Sequence, residues 1–88
     1  MNTLRQALYE YLQLRRSLGF KLQDAGLQLP RFVHFIEQRQ AEHITARLAL
    51  DWARQSTTVQ PAEWARRLGF VRGFARYRSA TDAATEIP

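Results

Sequence analysis

The chain has 88 residues, 45% of them hydrophobic and 24% charged, with a formal net charge of +5 and no cysteine. That length suits one small domain without room for a large catalytic cleft, and the lack of cysteine excludes disulfides and thiolate zinc sites. No apolar run approaches the ~18 residues of a membrane-spanning helix, and the polar start MNTLRQ is not expected to be a signal peptide, so a cytoplasmic setting fits.

Taken in chain order, apolar residues recur at helical spacing almost throughout, and no run alternates as a strand would. A first helix is expected from Thr3 to Ser17, with Leu4, Leu8, Tyr11, Leu12 and Leu18 on one stripe and Gly19 as its stop. A second runs from Gln23 to Gln40, its buried side formed by Ala25, Leu29, Phe32, Val33 and Ile36. Asp24 is placed to cap it, and Pro30 inside the pattern is expected to kink it. Thr45 caps a short third helix from Ala46 to Gln55 with Leu48, Ala49 and Trp52 inward, and STTVQP follows as a loop. Pro61 suits the first turn of a fourth helix that ends near Arg78, and SATDAATEIP has the polar, small-residue composition of a linker. There is no internal repeat. The short third helix favours an all-α, four-helix bundle of two crossed helical hairpins over four parallel rods, with residues 1–80 as the domain and 81–88 as the start of a linker.

The fourth helix carries the chemistry. At 100° per residue, Trp64, Leu68, Val71 and Ala75, with Phe74 beside them, form the expected core stripe. Opposite lie Arg66, Gly69, Gly73 and Arg76, with Arg72 at the edge. Two glycines inside a helix each cost about 1 kcal/mol relative to alanine. A strip without side chains, bordered by arginines, lets a large partner approach the backbone closely, as a phosphate backbone or a DNA groove wall would. Twelve of the chain's 13 basic residues are arginine, whose planar fork suits phosphates and guanine edges. From Pro61 to Arg78 five arginines face Glu63 alone, a net +4 of the chain's +5. The alternative is that Gly69 and Gly73 receive a partner helix, making this a protein-interaction domain.

The segment RRLGFVRGFARY resembles the last core-binding helix of tyrosine recombinases (phage integrases), where an arginine-rich stretch, small residues and a closing aromatic recur in order. YLQLRRSLGFKL followed by LPRFVHFIEQ resembles the family's first two helices, ITARLALDWA its third, and TDAATEIP its linker to a catalytic domain. The resemblance implies a SAM-like four-helix domain that clamps duplex DNA at recombination sites, with its second and fourth helices near the major groove. By position the implied DNA contacts are Lys21, Gln23, Gln28 and Arg31, then Arg66, Arg67, Gly69, Arg72, Gly73 and Arg76. Many members carry Ser or Thr at the Gly69 and Gly73 positions, and glycine there removes hydroxyl contacts.

The resemblance implies no cofactor, and no catalysis by this chain alone. The family's His-x-x-Arg is absent, since His34 precedes Phe-Ile-Glu and His43 precedes Ile-Thr-Ala. Tyr9, Tyr11 and Tyr77 are read as packing residues. His34 and His43 lack a third ligand for a metal, and Glu37 and Glu42 read as solvated surface. Leu27 and Leu50 fall on outer faces, as ordinary exposed residues or as points where protomers meet on DNA. The core is expected to rest on Trp52, Trp64, Leu68, Phe32 and Tyr11.

Overall fold

The computed structural model describes residues 3–55 and 60–88. It is all-α, with α1 (Leu4–Ser17), α2 (Gln23–Gln38), α3 (Ala46–Ala53) and α4 (Pro61–Ser79). The loop read at STTVQP lies, over residues 56–59, outside the described residues. Helix α1 packs on α2, and α3 on α4; α2 and α4 join the two pairs, and among the described residues α1 and α3 do not pack together. No described helix is long and apolar enough to cross a membrane.

Local chemistry sets most helix ends. Thr3 accepts the Gln6 amide to start α1, and Thr45 accepts the Leu48 amide to start α3. Pro61 opens α4, where its missing N–H costs nothing. Helix α1 ends in a Schellman turn: Phe20 N donates to Arg15 O, Gly19 N donates to Arg16 O, and Gly19 takes φ +98°. Helix α2 ends the same way two residues before the sequence suggested. Ala41 N donates to Ile36 O, Gln40 N donates to Glu37 O, and Gln40 holds φ +57° without being glycine. Pro30 lies inside α2, which is continuous across it. Asp24 does not cap this helix; Leu22, in a left-handed conformation, stands at the cap with no side-chain bond.

The core is one cluster drawn from all four helices. Phe32, Phe74, Leu29, Ile36, Ile44, Val33 and Val71 are fully enclosed, and Tyr11 stacks between Phe74 (5.5 Å) and Tyr77 (5.3 Å). Trp52 packs on Phe32 at 5.2 Å. Phe35 and Ile44 join this core unforeseen. Leu18, expected in the α1 stripe, is exposed because the helix has already ended there, and Tyr9 points to solvent instead of packing. Trp64 and Leu68 are only partly buried at the margin of the core. Glu37 is clamped by Arg5 at 2.7 and 3.0 Å. That pairing holds its carboxyl below the ordinary range and raises Arg5 further, so Glu37 and Glu42 do not form a carboxylate pair.

Residues 81–88, read as the start of a linker, fold back on the start of α3. Glu86 N donates to Ile44 O at 2.9 Å, and the Glu86 carboxylate accepts the Ala46 amide at 2.8 Å. His43 Nδ1 lies 2.7 Å from Asp82 Oδ2, which also accepts from the Thr85 hydroxyl, while Asp82 Oδ1 accepts the Ala84 amide. The His43 bond above all, with the Ala84 and Thr85 donors, holds the Asp82 carboxyl below its ordinary value despite desolvation. A carboxyl depressed on folding adds stability above its unfolded pKa of about 3.9, and that stability disappears as pH falls through the lower folded value. Acidification from pH 6 to pH 3 is therefore expected to lower the protection of the Ala84 and Thr85 amides, taken as their exchange rates relative to the intrinsic rates at each pH. Asp82→Asn should leave both amides poorly protected at either pH; strong protection in that variant would show that the carboxylate does not hold the segment.

Candidate nucleic-acid interface

Helix α4 has arginines and apolar residues on most sides, so its pattern fixes its rotation only loosely. Its buried residues are Val71, Phe74, Ala75 and Arg78. The inward direction is thus turned by about 30–50° from the expected stripe, toward Phe70 and Tyr77. That turn redistributes the arginines. Arg78 goes inside, with Nη1 on the Thr81 hydroxyl at 3.3 Å and Nε 4.0 Å from Asp82. Arg67 lies between α3 and α4, its Nη1 reaching the Ala53 carbonyl at 3.4 Å and its Nε 3.4 Å from Glu63. Arg66 is bonded both to Asp24 at the start of α2 and to Glu63 at 3.1 Å. Arg72 Nε donates to the Pro88 carbonyl at 2.8 Å.

The expected strip therefore divides. Gly69 is exposed, and a Cβ built there would meet nothing within 4 Å. Gly73 is not open: a Cβ would lie 2.9 Å from the Tyr11 hydroxyl of α1, so this glycine serves contact within the bundle. The exposed line along α4 is Ala62, Ala65, Gly69, Arg72 and Arg76, spanning about 80° of the helix. Its first half is nearly bare of side chains, and its second half carries two guanidiniums.

The bond from Asp24 to Arg66 brings the start of α2 beside the second turn of α4, and Lys21 and Gln23, which just precede Asp24, are exposed. Lys21, Arg31 and Arg76 make no side-chain hydrogen bond or ion pair with any described residue. Unlike Arg66 and Arg67, their charge is not offset by a carboxylate within the fold. Gln28 and Arg31 sit apart from the α4 line. They line a cleft of about 850 Å³ between α2 and the α3–α4 pair, with Arg5 of α1 at its edge, together with His34, Gln38, Arg39 and Gln55, none of which the sequence suggested as a DNA contact. Leu27 and Leu50 are exposed, as read from their helical positions. No group of three potential metal ligands occurs among the described residues.

Over all 88 residues the chain is 51% identical to a Sinorhizobium fredii protein that bears the name "Putative integrase/recombinase". The chain spans 28% of that protein's length. No protein-family model matches the chain, and no solved structure does.

Proposed function

We propose that this chain, a relative along its full length of the integrase/recombinase family, is a duplex-DNA-binding domain of a tyrosine-type recombinase. It grips and orients the DNA and leaves phosphoryl transfer to residues outside it. The observation that carries the reading is the outer line of α4. Ala62, Ala65 and Gly69 let a phosphate backbone or groove wall come close to the helix, and Arg76 stands beyond them without a carboxylate partner among the described residues. Lys21 and Gln23 extend the same surface from the start of α2. Arg72 joins it by exchanging its carbonyl partner for a phosphate, a stronger charge-assisted bond.

Arg66 and Arg67 act differently in this reading. They fix the α2–α4 and α3–α4 junctions, so their removal disturbs the bundle before it disturbs a contact to DNA. Tyr11 and Tyr77 are stacked on each other in the core, which suits packing and not attack on a phosphodiester.

The test is duplex titration at several salt concentrations. Each phosphate contact adds nearly one unit to the slope of log affinity against log salt. The Lys21→Ala/Arg76→Ala double variant should bind more weakly to any duplex and lose about two units of that slope, with its circular dichroism unchanged. An unaltered slope would remove these residues from the interface. Binding of the parent that is indifferent to salt would favour the rival reading, a helical protein-interaction domain.

A further inference from the structure

The cleft between α2 and the α3–α4 pair has a lining that the duplex reading does not use. Arg31, Phe35 and Arg39 follow one another at four-residue intervals along α2, a row about 12 Å long. The Arg39 guanidinium lies 4.0 Å over the Phe35 ring, and Arg39 is itself exposed, so the ring holds it in place with one side open to a further ring. Arg31 and His34, one to two turns earlier, are exposed; Arg31 has no carboxylate partner among the described residues, and the Glu37 carboxylate that His34 faces is already clamped by Arg5. Gln28 and Gln38 on the α2 wall, and Gln55 opposite, each offer both an amide donor and a carbonyl acceptor. The volume of about 850 Å³ is within the range of small-ligand sites.

We infer that this cleft binds a nucleoside phosphate unit: the base stacked on the Arg39 plate, the phosphate held by Arg31 and His34. Guanidinium planes and aromatic rings are the platforms on which unstacked bases rest, and amide side chains read base edges. The chemistry fits a free nucleotide and a nucleotide within an unpaired strand equally. It does not fit paired DNA, whose bases are already stacked. The site therefore stands apart from the α4 surface and does not depend on it.

The experiment is an amide chemical-shift titration of the whole chain at fixed ionic strength. The probes are deoxyadenosine monophosphate, deoxyadenosine, inorganic phosphate and a short single-stranded oligonucleotide. The monophosphate should move the amides from Arg31 to Arg39 and that of Gln55 saturably. Nucleoside and phosphate alone should each bind at least about tenfold more weakly, because each lacks one half of the contact. Arg39→Ala and Arg31→Ala, both at exposed positions, should each weaken the monophosphate by about tenfold, while Arg76→Ala leaves it unchanged. Tighter binding of the oligonucleotide than of the monophosphate would assign the site to a strand, and the reverse to a free nucleotide; either result supports it. Inorganic phosphate binding as well as the nucleotide, no saturable shift with any probe, or indifference to Arg39→Ala would overturn the inference. A failed duplex titration would leave these outcomes untouched.

Discussion

Replacing Phe74 by alanine should cost about 3–5 kcal/mol, the usual range for emptying a fully buried aromatic site. Phe74 is wholly enclosed and its ring rests 5.5 Å from that of Tyr11, so it ties α4 to α1 in the middle of the bundle. The fully buried residues of the same core, Val71, Ala75 and Leu29 among them, are close-packed and can close only part of the cavity. A domain of this size has about 5–10 kcal/mol of stability in all, so the variant should be partly unfolded at physiological temperature. Denaturant titration measures it. A loss below about 1 kcal/mol would mean that Phe74 does not stand at the centre of the core. Trp64→Ala, at a residue the sequence placed in the core, should cost less, because Trp64 is only partly buried at the margin.

Gly73→Leu should cost about 1–3 kcal/mol through overpacking, the opposite of what an open strip would give. Even a Cβ there would lie 2.9 Å from the Tyr11 hydroxyl, and that ring is held between Phe74 and Tyr77. The better helix propensity of leucine, about 1 kcal/mol over glycine at most, does not offset the clash. Gly73→Ala offers a finer test, since removing the hydroxyl makes room for a methyl group. In a Tyr11→Phe background Gly73→Ala should be better tolerated than in the parent, a coupling that a double-mutant cycle reads directly. Independence of the two changes would show that the hydroxyl is not what Gly73 accommodates.

Much of the helix layout was legible because its signals are local. Thr3, Thr45 and Pro61 mark starts through chemistry confined to a few residues, and Gly19 marks a stop because the turn there needs φ +98°. The end of α2 was not legible: Gln40 takes the same left-handed turn without glycine, so nothing in the residue type announced it. The α2 stripe was read correctly because its apolar residues keep one phase. The α4 stripe was misjudged by part of a turn because arginines and apolar residues share most of its circumference. Which arginines remain outward depends on partners remote in sequence. Asp24 claims Arg66 from 42 positions away and Ala53 claims Arg67 from 14. Charge counting along one helix cannot see either. The cleft behind α2 was invisible for the same reason, since its walls come from all four helices and from Gln55 beyond α3.

The central claim, that the outer line of α4 lies against duplex DNA, is tested most directly at Gly69. A Cβ there meets nothing within 4 Å and the position is exposed, so Gly69→Leu should leave the melting temperature unchanged or raise it slightly, by the propensity gain of up to about 1 kcal/mol. The same side chain would hold the helix away from the DNA, and in a low-salt duplex titration affinity should fall at least about tenfold, a loss of 1.4 kcal/mol or more. A well-folded Gly69→Leu protein that binds duplex as tightly as the parent would contradict the assignment of this face.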